Sequence, residues 1–230
     1  GDNSGYSVSM SADGNIVAIG APYNADNGHH SGHTRIYKNI NGTWNQLGSD
    51  INGGLVNAES GWSITLSSDG YVLAIGEPAY NFQGGEGMTR VFSWDGVSWN
   101  MLGDSIIGEG LGDQSGYSVS ISDDGMTVAI GAPYNDGNGI DAGRVGIYNY
   151  NGTSWNQLGN DIDGEAADDN SGFFISLSDN GNTVAIGARL NDDNGTDAGH
   201  VRVYGLDNST NSDCDFSEQK FYLSPRLTVL

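Results

Sequence analysis

Ser115-Gly116-Tyr117-Ser118-Val119-Ser120-Ile121-Ser122-Asp123-Asp124-Gly125-Met126-Thr127-Val128-Ala129-Ile130-Gly131-Ala132-Pro133 is the stretch on which the fold turns, because the chain writes variants of it four times. Ser-Gly-aromatic stands at Ser4-Gly5-Tyr6, Ser60-Gly61-Trp62, Ser115-Gly116-Tyr117 and Ser171-Gly172-Phe173, at spacings of 56, 55 and 56 residues. Ala-Ile-Gly follows in phase at 18–20, 74–76, 129–131 and 185–187, and Trp-Asn-x-Leu-Gly closes the first three units at 44–48, 99–103 and 155–159. A period near 55 residues held over four units marks a repeat architecture.

Each unit reads as four strands separated by turn signals. In the first, strand a is Tyr6 to Met10, alternating large apolar and small side chains. A Ser-x-Asp-Gly turn leads to strand b, Ile16 to Ala21, apolar on both faces. The loop Asn24 to Gly32 leads to strand c, Thr34 to Tyr37, and Asn41-Gly42 turns into strand d around Trp44 to Leu47. One repeat is therefore a four-stranded antiparallel meander with two apolar faces that only neighbouring repeats can cover, which is the description of a β-propeller blade. The expected fold is all-β: one propeller domain over residues 1–230, with blades at about 1–57, 58–111, 112–167 and 168–230. The small residues Ser7, Ser9, Ser63, Ser118, Ser120 and Ser176 place strand a innermost, where blades converge. Phe174 breaks that column, and the fourth unit lacks Trp-Asn-x-Leu-Gly, so the last blade is expected to be irregular, with Phe221 to Leu230 as its outer strand.

Gly5-Tyr6-Ser7-Val8 with Ile19-Gly20-Ala21-Pro22, and Gly116 to Val119 with Ile130 to Pro133, resemble the FG-GAP repeat of integrin α-subunit propellers and of many secreted repeat proteins. The resemblance implies an extracellular binding or adhesion module. The sequence departs from the family in three ways. The family's leading Phe is Ser in every copy, and Gly-Ala-Pro becomes Gly-Glu-Pro at 76–78 and Gly-Ala-Arg at 187–189. The a–b turn is too short to hold the calcium loop integrins carry there. The family's usual blade number is seven, whereas this chain offers four.

Composition narrows the function. Twenty-nine acidic against eight basic side chains give a formal charge of -21, which repels phosphate backbones and excludes nucleic acid as a partner. No apolar run is long enough to insert in a membrane, and the single cysteine, Cys214, allows neither an internal disulfide nor a Cys-based zinc site. Gly1 falls inside what recurs later as an inter-repeat linker, so a secreted or cell-surface protein that has lost its export signal is expected.

Successive connections of a meander alternate between the ends of the sheet, so the a–b and c–d turns share one face of the disc and the b–c loops and d–a linkers share the other. Most carboxylates outside the tail fall on the b–c/d–a face. Calcium is the expected cofactor there, bound by Asn135, Asp136, Asn138 and Asp141 in the third unit, by Asn191, Asp192, Asn194 and Asp197 in the fourth, and more loosely by Asn24 and Asp26 in the first, since hard cations take carboxylate and amide oxygens on glycine-rich turns. A solvated acidic surface is the competing reading. His29, His30 and His33 are expected to be structural, and Trp44, Trp99 and Trp155 to pack between blades rather than stack on sugars. The carboxylates recur blade by blade without a constellation peculiar to one unit, so an enzyme is not expected. The partner expected is a protein or glycan on the acidic face. A structural subunit of a surface assembly, a homo-oligomer, and a carbohydrate-active enzyme or lectin are the alternatives.

Overall fold

Ser-x-Asp-Gly turns and alternating strands fold as their chemistry directs. The Ser11 hydroxyl donates to Asp13 Oδ1 (2.7 Å) and accepts the Ile16 amide (2.9 Å), while Asp13 Oδ1 accepts the Asn15 amide, so the turn's own side chains close the hairpin. These bonds hold the exposed Asp13 carboxyl down at about 2. The same arrangement recurs at Ser67 and Asp69, at Ser122 and Asp124, and with an amide at Ser178 and Asn180.

The computed structural model describes residues 1–78, 85–207 and 215–218. It is all-β, with four antiparallel sheets and no helix among the described residues. The first sheet is β1 (Ser7–Met10), β2 (Ile16–Ala21), β3 (His33–Ile40) and β4 (Thr43–Gln46), with β5 (Ile51–Asn52) paired to the other end of β3. The second repeats this as β6 (Ser63–Leu66), β7 (Val72–Glu77), β8 (Met88–Trp94), β9 (Trp99–Met101) and β10 (Ile106–Ile107). The third is β11 (Ser118–Ile121), β12 (Thr127–Ala132), β13 (Arg144–Tyr150), β14 (Trp155–Gln157) and β15 (Ile162–Asp163). The fourth is β16 (Ser171–Leu177), β17 (Thr183–Ala188), β18 (His200–Asp207) and β19 (Asp215–Glu218).

Two details differ from the sequence reading. The outer position of the first three blades is shared by two short strands, because Trp-Asn-x-Leu-Gly turns away and the chain returns to pair again through Ile51, Ile106 or Ile162. Each of these isoleucines is buried in an inter-blade core. The outer strand of the fourth blade is Asp215–Glu218, while Phe221 to Leu230 lie outside the described residues. The irregularity expected at Phe174 is a register shift in β16 between Ser171 and Phe174.

Blades are joined by a repeated contact. Ser7, Ser63 and Ser118 donate their hydroxyls to the carbonyls of Gly61, Gly116 and Gly172 in the next blade, at 2.6, 2.8 and 2.7 Å. A Cβ on Gly20, Gly76 or Gly131 would stand 2.2, 2.0 or 2.1 Å from that same carbonyl oxygen, so only glycine fits. Ser9 and Ser120 hydroxyls accept the Leu66 and Leu177 amides across the junctions. The serine column is thus a set of stitches and not merely a row of small residues. Apolar packing fills in behind it: Ile16, Ala18, Ile36 and Ile51 of the first blade against Ile64, Leu66, Leu73 and Ile75 of the second, and likewise onward.

The arc ends without such cover. Val8 and Met10, the counterparts of buried Ile64 and Leu66, are 64% and 57% exposed. Trp99 and Trp155 lie between blades and donate Nε1–H to the Leu47 and Leu102 carbonyls at 2.8 and 2.6 Å, whereas Trp44, with no blade before it, is 44% exposed. Trp155→Ala is therefore expected to cost about 3 kcal/mol or more in urea unfolding. Trp44→Ala should cost less than about 1 kcal/mol. Equal losses would show that position in the arc does not decide burial.

Candidate functional site

The Ser-Gly-aromatic motif builds the site. Gly61, Gly116 and Gly172 take φ of 86°, 86° and 84°, left-handed values that turn the chain from the d–a linker into strand a. The next side chain, Tyr6, Trp62, Tyr117 or Phe173, is delivered to the innermost rim of the b–c/d–a face. The four rings follow one another from blade to blade, with centroids 4.7 Å apart for Tyr6 and Trp62, 5.4 Å for Trp62 and Tyr117, and 4.7 Å for Tyr117 and Phe173. With residues of the four innermost strands, among them Val8, Ile64, Val119 and Phe174, they line an open cavity of about 460 Å³. Sequence reading used these aromatics as markers of the repeat and missed them as a surface. Their recurrence at the first position of strand a was the available signal.

Around this row the blades differ. Arg189 replaces the proline of the other units, lies over the Phe173 ring at 3.9 Å and donates to Asn170 Oδ1. Burial, with Tyr134 and Tyr6 nearby, pushes the Tyr117 phenol up to about 12, so it stays a neutral hydroxyl. In the second blade, Glu59 fills the position held elsewhere by Asn3, Gln114 and Asn170, with φ of 55°. Its side chain is only 4% exposed, its Oε2 has no hydrogen-bond partner, and burial raises its carboxyl from the ordinary 4.5 to about 7. It lies close enough to Tyr6 to help raise that phenol, after burial and Tyr23. Glu77, in place of an alanine, is fully buried and paired with Arg90, which also donates to the Asn52 carbonyl and the Ser60 hydroxyl. Burial raises Glu77 more than Arg90 lowers it.

The residues expected to bind calcium are on the predicted face, where much of their chemistry serves the loops themselves. Asn24, Asn135 and Asn191 are buried and donate to Asp2, Asp113 and Asp169 in the d–a linkers at 2.9, 2.7 and 3.0 Å. The Asp26 amide is accepted by Asn24 Oδ1. Asp136 and Asp192 each accept the amide of Asp141 or Asp197 through Oδ1 at 2.8 Å. Asn138 donates to the Gly164 carbonyl at 2.7 Å, and Asn194 is exposed. A different set brings metal-ligating atoms together: Glu165, Asp193 and His200, all within 4.8 Å of one another at the junction of the third and fourth blades. Arg202 pairs with Glu165 there. Glu165 comes from a linker and His200 from a strand edge, so their meeting depended on blade packing.

Residues 110–148, which take in β11, β12 and most of β13, match the FG-GAP repeat family. No curated protein matches the chain in sequence. Among solved structures, the periplasmic gluconolactonase of Pseudomonas aeruginosa matches with a TM-score of 0.57 and 14% identity, over 96% of this chain and 58% of that one. The structure described as a complex of KlAtg21 with the coiled-coil of AgAtg16 matches with a TM-score of 0.60 and 14% identity, over 93% and 57%. A putative 6-phosphogluconolactonase from Bacteroides uniformis matches with a TM-score of 0.49 and 10% identity, over 93% and 70%. The chain thus spans little more than half the length of the first and second of these. At such identity the likeness is one of fold.

The expectation that the chain is not an enzyme is corrected. It rested on the absence of a constellation peculiar to one unit, and the fold is shared with a protein named as a gluconolactonase. The second blade holds Glu59 and Glu77 where the other blades hold Asn3, Gln114 and Asn170, and Ala21, Ala132 and Ala188, so the symmetry is broken at the face in question.

Glu59 makes a pH prediction. Its proton is held more tightly folded than unfolded, so its contribution is greatest below about pH 4.5 and is lost as pH rises to about 7. Glu59→Gln should flatten that fall and raise stability at pH 8 by about 1–2 kcal/mol, the full shift being discounted for solvent near the open face. Urea unfolding of both proteins from pH 4 to 8 measures it, and parallel curves would refute the assignment.

Proposed function

We propose that this protein is an extracellular or cell-surface binding or adhesion module that takes a protein or glycan ligand on its b–c/d–a face. The observation that carries this reading is the unbroken row of Tyr6, Trp62, Tyr117 and Phe173 along a cavity of about 460 Å³. Aromatic side chains at a wet surface bind by stacking, by contact with apolar sugar faces and by attraction of cations. A net charge of -21 disfavours sulfated or sialylated glycans and acidic peptides, so the ligand is neutral or basic. No helix among the described residues is long and apolar enough to cross a membrane.

Titration of neutral and basic oligosaccharides and basic peptides, followed by tryptophan fluorescence, should reveal a ligand whose affinity Trp62→Ala weakens about tenfold or more, equivalent to about 1.4 kcal/mol. Binding that survives Trp62→Ala and Tyr117→Ala unchanged would remove the aromatic row from the reading.

Calcium stabilisation belongs to the same proposal. Its support is the crowding of Asp136 and Asp168 around Asp141, which together with burial, the larger cause, holds the Asp141 carboxyl above its usual range. A cation there would reverse that repulsion. Calcium at 100 times its dissociation constant is expected to add about 2.7 kcal/mol. The combined change Asp136→Ala and Asp192→Ala should abolish the response, and a melt indifferent to chelator would leave a solvated acidic surface as the account.

Glu59 favours a second reading, acid-base catalysis on the same face. A buried carboxyl that titrates near neutrality is suited to proton transfer. Hydrolysis of sugar lactones or glycosides that is lost in Glu59→Gln, with ligand binding retained, would support catalysis. Turnover equal to wild type in Glu59→Gln would dismiss it.

A further inference from the structure

Asn3, Glu59, Gln114 and Asn170 hold one position of the repeat, all in the left-handed region with φ of 52°, 55°, 55° and 53°. The fourth blade shows what an amide does there. Asn170 Nδ2 donates to the Pro133 carbonyl at 3.4 Å and to the Asp141 carbonyl at 3.2 Å, while Oδ1 accepts from the Arg189 guanidinium. The second blade keeps the backbone and changes the side chain. The Glu59 amide donates to the His30 carbonyl and the Glu59 carbonyl accepts the Trp62 amide, both at 3.0 Å. The Asn170 amide likewise donates to the Asp141 carbonyl at 3.0 Å, and the Asn170 carbonyl accepts the Phe173 amide at 3.2 Å. Pro22 and His30 are the counterparts of Pro133 and Asp141, so the repeat brings their carbonyls to Glu59 as it brings the other pair to Asn170. An ionised carboxyl has no hydrogen to offer them. Pro78 stands where the fourth blade has Arg189, so the neighbouring guanidinium is missing as well. The Glu59 side chain is buried nonetheless, and its Oε2 accepts no hydrogen bond among the described residues.

We propose that Glu59 Oε2 and the carbonyl oxygens of Pro22 and His30 bind one alkali-metal cation, sodium or potassium, at the junction of the first two blades. Buried oxygens that accept and cannot donate are the ligands of a hard cation, and irregular backbone carbonyls coordinate sodium. The charge of the ion follows from counting. A single carboxylate balances one positive charge, whereas a divalent ion would leave a net charge buried in the junction. The ion does for the second blade what the Asn170 amide does for the fourth, tying the linker ahead of strand a to the b–c loop of the blade before. Trp62 follows three residues after Glu59, so the tie also steadies the aromatic row. The site shares no residue with the calcium loops and does not rest on the ligand proposed for that face.

The test compares the melting temperatures of wild type and Glu59→Gln at pH 8, where a carboxyl that titrates at about 7 is ionised. Sodium, potassium and choline chloride are used at matched ionic strength, so that screening is the same in each. The third blade carries Gln114 at this position, so the variant is expected to fold, its amide donating to the carbonyls in place of the ion. At several times the dissociation constant, sodium or potassium should raise wild type by about 2–4 °C over choline. Glu59→Gln should melt alike in all three salts, and the stability it gains at pH 8 should shrink as the metal ion replaces choline. Calcium should act on both proteins alike. A wild type indifferent to the identity of the cation would leave the carboxylate to a proton or a water and overturn the proposal. So would an equal sodium or potassium response in Glu59→Gln, or a calcium response that only wild type shows.

Discussion

The structure depends on a close approach of two backbones at every blade junction. A glycine on strand b faces the carbonyl of the glycine that opens the next blade, and a serine on strand a donates to that same oxygen. A methyl group at the first glycine would overlap the oxygen, and without the serine a buried carbonyl would go unpaired. The contact sets how near the innermost strands lie to one another. The apolar pairs farther out can interlock only at that spacing, which explains why Gly76 and Ser63 recur in register although they lie on different strands.

The functional face inherits this geometry. The glycine whose carbonyl receives the serine is followed at once by the aromatic residue, so the ring-to-ring spacing of the row follows from the blade-to-blade spacing of the backbone. Repetition makes the surface and substitution individualises it. Glu59, Glu77, Arg90 and Arg189 all stand where another copy has a smaller or uncharged residue, and all lie around the row or just beneath it.

The acidity has a double role. Some carboxylates are structural: Asp113 and Asp169 accept buried asparagine side chains and fasten each b–c loop to the linker before it. Others, such as Asp141 with Asp136 and Asp168 beside it, remain electrostatically opposed to their neighbours. Compact folding with so many like charges is possible because large apolar clusters join neighbouring blades and because most of the carboxylates face water.

The sequence by itself determined the number of repeats, the strands within each, the innermost place of Ser7 and its counterparts, and the face that carries the acid. All of these follow from local chemistry repeated at a fixed period: turn residues, alternation, and small side chains at a constant offset. Only the tertiary structure decided which tryptophans are covered, since Trp44 and Trp155 share a motif and differ only in having a blade before them. It also decided that Glu59 is buried without a partner, that Asn135 serves as a tether, and that Glu165 meets His200. Each of these depends on what a neighbouring blade places opposite a residue some fifty positions away. A pattern that is identical within every unit carries no record of which unit stands at the end of the row.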